Sequence, residues 1–221
     1  MDAVEELHAR ILACRLCQDA GYIERAAPVV AGKSGNRIML IGQVPGVTEL
    51  EVRRPFAGRA GKELFRWMAS IGINEEEFRG RVYMTAVTKC FPGRTGGGSG
   101  DRRPSRQEIE LCAPYLDVQF SLMDPRAVLL VGGMAIERFF PRTSLDLLIG
   151  GQIERDGILY IPLPHPSGAS RWLNDHGHRA LLRQGLDHVR RVWDLFASDQ
   201  AETVDASGGS ALAGTASAMF E

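Results

Sequence analysis

Four cysteines stand out for their coordination chemistry: Cys14 and Cys17 lie in a C-x-x-C pair, and Cys90 and Cys112 each stand alone. Four thiolates suit either one zinc ion or a 4Fe-4S cluster, because both take soft ligands in a tetrahedral array. Zinc ribbons usually bring two close pairs. One pair meeting two distant single cysteines therefore leans toward the cluster. Taken alone, Cys112 also reads as an ordinary buried thiol on a helix. The first residues, MDAVEELHARIL, carry acids where a secretory signal carries bases, so a cytoplasmic location is expected and disulfides are disfavoured.

A second set of residues has types suited to holding a ligand. Gly42, Gln43, Val44, Pro45 and Gly46 form the glycine- and proline-bearing loop GQVPG directly after an apolar run. The segment RPFAGRAGKEL spans Arg54 to Leu64, and His165 sits between two prolines in HPSG. Between Lys89 and Arg106, Lys89, Arg94, Arg102, Arg103 and Arg106 are opposed only by Asp101 in a glycine-rich stretch, although the whole chain carries a net charge of -1. A solvated loop and a contact for a polyanion are both consistent with that stretch.

The elements that must position these residues alternate. Apolar spacing predicts a helix over Ala3 to Ala13, delivering Cys14 and Cys17 at its end. Strands are predicted at Arg37–Ile41, Val82–Val87, Ala127–Gly133 and Ile158–Leu163. Helices are predicted from near Ala60, from Ser105 (where Ser105 and Glu108 match a capping box) and from Arg179 to Phe196. Strands separated by helices imply a three-layer α/β/α fold around a central, mainly parallel four-stranded sheet, whose strand-end loops are the place for a ligand. Residues 1–197 are read as one domain and 198–221, rich in Ala, Gly, Ser and Thr, as a disordered tail. With 44% hydrophobic and 24% charged residues and no long apolar run, membrane spans are excluded.

In order and setting, GQVPG, RPFAGRAGKEL, VYMTAVTKC ending at Cys90, HPSG and the four cysteines resemble the iron-sulfur uracil-DNA glycosylases, often called family four. That family shows GEAPG, RPF-x-G-x-AGK, TN-x-x-KC and HPS. The resemblance covers Cys14 to Arg191. It implies a 4Fe-4S cluster on Cys14, Cys17, Cys90 and Cys112, DNA as partner, a monomer, and removal of a flipped-out base by cleavage of its N-glycosidic bond. Phe56 would be the platform on which the base stacks, and His165 the donor to the base oxygen as the leaving group becomes anionic. Gly42, Val44, Pro45 and Gly46 would let backbone approach the base and the attacking water. Ser167 would grip a phosphate, Arg171 or Trp172 would fill the vacated stack, and Arg94, Arg102 and Arg103 would contact the DNA backbone.

Two departures from the family pattern bear on activity. Gln43 replaces the acid of GEAPG, and an amide cannot take a proton as a carboxylate does; either Gln43 orients the water or Glu49 supplies the carboxylate. Ala86 replaces the Asn of TN-x-x-KC, whose amide reads the pairing edge of uracil, so broadened base selection is expected. Two other readings compete with the enzyme. One is a damage- or single-strand-binding protein of the same fold with catalysis lost. The other is a zinc protein whose cleft takes a small ligand.

Overall fold

A computed structural model describes residues 2–96, 100–167 and 171–197, apart from the side chains of Arg171 and Ala197. The segment read from sequence as a disordered tail, 198–221, lies outside the described residues. In chain order the elements are α1 (Ala3–Leu12), α2 (Leu16–Asp19), β1 (Ile38–Gly42), α3 (Val47–Val52), α4 (Arg59–Ser70), α5 (Glu75–Arg81), β2 (Val82–Ala86), α6 (Arg106–Met123), β3 (Ala127–Val131), α7 (Gly133–Phe139), α8 (Leu145–Leu148), β4 (Ile153–Arg155), β5 (Ile158–Leu163), a 3-10 turn (Arg171–Asn174) and α9 (His176–Ala197).

The strands form one sheet in the order β2-β1-β3-β5-β4. The four strands read from sequence are all parallel, and β1 lies between β2 and β3 in a register that sets Gly42 opposite Ala86. The expected four-stranded sheet has a fifth member: β4 pairs antiparallel with β5 along the edge. Its residues, Ile-Glu-Arg, are too few and too polar to show the alternation that betrays a strand.

Both faces of the parallel sheet are covered, which explains why β1, β2 and β3 are buried at every position. Alternate residues serve opposite layers. Ile38, Leu40, Val82, Met84, Ala127 and Leu129 pack with α4, α5 and α9 through side chains such as Leu64, Phe78, Leu186 and Trp193. Met39, Ile41, Tyr83, Val128 and Leu130 pack with α1, α6 and α7 through Val4, Leu116, Met134 and Ile136. Helix starts are fixed by local chemistry. Asp2 and Glu5 form a capping box on α1, Ser105 and Glu108 another on α6, and Asn74 caps α5. Asp175 accepts from the amides of Gly177 and His178, which starts α9 three residues before the expected Arg179. No helix among the described residues is long and apolar enough to cross a membrane.

Because the four parallel strands run the same way, their carboxyl ends share one edge of the sheet. The loops after Gly42, Ala86, Val131 and Leu163 all emerge there, carrying GQVPG, the approach to Cys90, Gly132 and His165.

Candidate functional site

The Phe56 ring lies on the end of β1. A Cβ on Gly42 would come within 2.9 Å of Phe56 Cζ, so only glycine allows this contact. Phe56 adopts the left-handed conformation (φ 52°), which for a residue with a side chain costs roughly 1–2 kcal/mol. Two neighbours hold that turn. A Cβ on Gly61 would lie 1.8 Å from Phe56 O, so the carbonyl rests against the bare α-carbon of the α4 first turn. From the other side Arg79 donates through Nη1 to Pro55 O (2.8 Å) and through Nη2 to Phe56 O (3.1 Å).

Gln43 and His165 meet across Gly132. A Cβ on Gly132 would fall 2.8 Å from Gln43 Cδ and 3.0 Å from His165 Cδ2, and its φ of +91° also calls for glycine. Gln43 Oε1 accepts from Met134 N–H (3.0 Å) at the start of α7, which directs the side chain across the carboxyl edge. His165 Nδ1 accepts from Ser167 N–H (3.3 Å). With Nδ1 an acceptor, the proton of the neutral ring resides on Nε2, and burial pulls the His165 pKa below its ordinary value. His165 is thus a neutral imidazole whose Nε2–H has no hydrogen-bond partner among the described residues, a donor suited to stabilising a developing oxyanion.

Glu49 is buried, and its oxygens each accept a backbone amide: Gly46 N–H on Oε2 (3.1 Å) and Gly58 N–H on Oε1 (3.0 Å). The carboxylate thereby fastens the GQVPG loop to the start of α4. Asp101 approaches the same place, with Oδ2 3.4 Å from where a Gly46 Cβ would stand, and burial raises its pKa. Val44 packs on the core between the sheet and α6, and Pro45 is buried. Ala86 is buried opposite Gly42 and has no polar side-chain atom there. Its carbonyl accepts from Lys89 Nζ at 2.5 Å; the Lys89 side chain is wholly buried, and that burial brings its pKa down to about 8.

The four cysteines, drawn from the ends of α1 and β2 and from within α2 and α6, line one cavity together with Ile11, Leu16, Ile23 and Thr88. Lys89 N–H donates to Cys112 Sγ (3.3 Å), which favours sulfur as thiolate, whereas burial opposes the charge by pushing the Cys17 thiol up to about 11 and the Cys90 thiol up to about 12. Thr88 Oγ is buried in the same wall without a hydrogen-bond partner. Among the described residues no three His, Cys, Asp or Glu side chains converge on a point that would hold a single metal ion. The cavity gathers four soft sulfur donors, the ligand set that either a zinc ion or a 4Fe-4S cluster takes.

The basic residues divide. Arg102 turns inward, gripping Glu108 with two nitrogens (2.7 and 2.8 Å) and Tyr22 O (2.7 Å), so it joins α6 to the chain after α2. Arg94 is exposed and pairs with Asp101 through an isolated antiparallel bridge, and Arg103 is exposed with a loose 3.9 Å ion pair to Glu137. Trp172 is held: its ring stacks on His178 at 4.0 Å and its Nε1–H donates to Asp146 (2.7 Å). Ser167 is half-buried beside His165, and the Arg171 side chain lies outside the described residues.

Three residues of this constellation were not singled out by sequence: Gly61, Gly132 and Arg79. The glycines were visible within AGRAG and LLVGG, yet nothing in sequence says which atoms approach them. Arg79 sits in EEEFRGR, which reads as a solvated charged turn.

A model of the uracil DNA glycosylase superfamily matches residues 30–197. A Type-4 uracil-DNA glycosylase from Pyrobaculum aerophilum is 34% identical over 58% of this chain and 60% of its own length, so the chain spans less than two thirds of that relative. Type-4 uracil-DNA glycosylases from Sulfurisphaera tokodaii (27% identical, 93% of this chain and 90% of the relative) and Thermotoga maritima (30%, 87% and 88%) align along most of both chains. The sheet, the cleft at its carboxyl edge and a family match running from residue 30 to residue 197 place this chain in the uracil DNA glycosylase superfamily.

Proposed function

We propose that the chain is a DNA glycosylase of base excision repair, which hydrolyses the N-glycosidic bond of uracil or another deaminated base in DNA. One observation carries this reading: the neutral His165 donor and the Phe56 ring stand at the carboxyl edge of one sheet, a platform and an oxyanion partner for a single flat ligand. The flipped base stacks on Phe56. As the C1′–N bond breaks, its electron pair leaves with the base, and His165 Nε2–H stabilises the resulting anion. A water oriented by the Gln43 amide bonds to C1′ and gives up a proton to solvent, and the base takes one up on release. Gln43 orients rather than deprotonates, which an oxocarbenium-like centre tolerates because it is already electrophilic. Glu49 acts by fixing the loop around that water. Arg94, Arg103 and Ser167 approach the DNA backbone.

Cys14, Cys17, Cys90 and Cys112 would hold a 4Fe-4S cluster, and when bound that group supplies a cross-link between the amino-terminal helices, the exit of β2 and α6. Protein purified anaerobically is expected to show broad visible charge-transfer absorption and to carry iron and sulfide. Zinc alone in metal analysis would refute this assignment. The family resemblance supports a monomer working in the cytoplasm.

The glycosylase reading is tested by base release from labelled single- and double-stranded oligonucleotides carrying one uracil, hypoxanthine or xanthine. With a methyl group where an amide would read the pairing edge, release is expected from more than one of these, and Ala86→Asn is expected to raise preference for uracil about tenfold or more. Uracil-only release by the unaltered chain would sink the broadened selection. Tight binding to such DNA with no release would favour the damage-binding reading, to which Gln43 and Ala86 lend their chemistry.

A further inference from the structure

We infer that Arg79, a residue outside the cleft, is the positioning residue that keeps Phe56 turned over Gly42 and so sets the base-stacking platform. This rests on the reading of Phe56 as the platform.

Phe56 holds a backbone conformation that its own side chain disfavours (φ 52°), and nothing within the dipeptide Pro55–Phe56 supplies the compensation. The carbonyls on either side of the strained bond pair, Pro55 O and Phe56 O, both accept from one guanidinium. A planar fork with fixed spacing orients two acceptors at once, which a flexible ammonium does not. The fork is itself immobilised. Arg79 Nε donates to Glu75 Oε1 (2.8 Å), its guanidinium carbon lies 4.4 Å over the Phe65 ring, and its side chain is only 10% exposed. Phe65 is a buried core residue of α4, so the chain of contacts runs from the core through Arg79 to the turn and ends at the Phe56 ring on Gly42. Gly61, with no Cβ, leaves the space that the Phe56 carbonyl occupies. A surface arginine pairing only with Glu75 would need none of these backbone contacts.

The effect belongs to base holding rather than to DNA holding, which separates it from a merely structural role. The readout is the ratio of affinities for two duplexes: one carrying a 2′-fluoro-deoxyuridine, whose glycosidic bond resists cleavage, and one carrying an abasic analogue at the same place. Phe56→Ala is expected to lower this ratio about tenfold, the loss of one stacked base. Arg79→Met, which keeps the aliphatic packing on Phe65, is expected to lower it by a similar factor while affinity for the abasic duplex stays within about twofold. Arg79→Lys, reaching one carbonyl in place of two, is expected to fall between. Should Arg79→Met fold poorly, Glu75→Gln loosens the same fork from the helix surface, and a smaller drop in the same ratio is expected. If Phe56→Ala lowers the ratio and the Arg79 variants do not, Arg79 has no part in the platform. An unchanged ratio in Phe56→Ala would overturn the platform itself, and the role of Arg79 with it.

Discussion

Replacing His165 with alanine is expected to slow base release by about 100- to 1,000-fold, the usual cost of losing one preorganised donor to a developing oxyanion, while DNA affinity changes little. The expectation follows from the tautomer. Ser167 N–H occupies Nδ1, which puts the ring's N–H donor at Nε2, and burial beside Gly132 favours the uncharged ring. Single-turnover rates and equilibrium binding, measured on the same oligonucleotide, separate the two effects; an equal loss in both would make His165 a binding residue. The pH dependence has a definite sign. Because the folded-state pKa is depressed, the neutral donor persists as pH falls through about 6.5, the ordinary histidine value, and the single-turnover rate is expected to hold there. Stability behaves differently. Below about 6.5 the unfolded chain takes up a proton at this position that the folded chain resists, so the His165 contribution to stability is lost as pH falls through that range. Denaturant titrations of His165→Gln are expected to show a shallower decline with acid than the unaltered chain.

Gly61→Ala is expected to be the most destabilising single methyl in the cleft, costing about 3 kcal/mol or more. The added carbon would stand 1.8 Å from Phe56 O and 2.4 Å from Phe56 C, so backbone has to move rather than a side-chain tip. Movement there also releases the turn that Arg79 grips, so base release is expected to drop together with the denaturation midpoint. Gly80→Ala is the companion measurement. It adds the same methyl to α5 where no atom lies within 4 Å, and is expected to stabilise by about 0.5–1 kcal/mol through helix propensity. A Gly61→Ala midpoint as high as that of the unaltered chain would show that the Phe56 turn has slack.

The parallel strands were legible because burial on both faces turns each into a continuous apolar run, and VYMTA, AVLLV and ILYIPL need no context to be read. Boundaries slipped where backbone geometry ends an element: the run AVLLVGG suggests a strand to Gly133, but β3 stops at Val131 because Gly132 turns to positive φ and begins the approach to α7. Helix α5 was hidden by having one buried apolar residue, Phe78, among charges. The cleft was legible through motif order, which located Gly42, Phe56 and His165 without any geometry. Contacts to backbone carbonyls and amides leave no mark in sequence. Arg79 on Pro55 and Phe56, Arg102 on Tyr22, and Glu49 on Gly46 and Gly58 therefore emerged only with the fold. Arg102, expected from sequence as a DNA-backbone contact, is paired with Glu108, so exchanging it tests α6 anchoring as much as DNA contact.

The sulfur-lined cavity also constrains the order of assembly. Its walls come from α1, α2, the segment leaving β2 and the second turn of α6, so it does not exist in any local stretch of chain. Closing it requires β2 to be docked beside β1 and α6 to have returned across the sheet, contacts of long sequence separation that form slowly. A group held by the four cysteines would tie these distant segments together, among them the one that leads from the cavity wall back to Ala86 and the floor of the cleft.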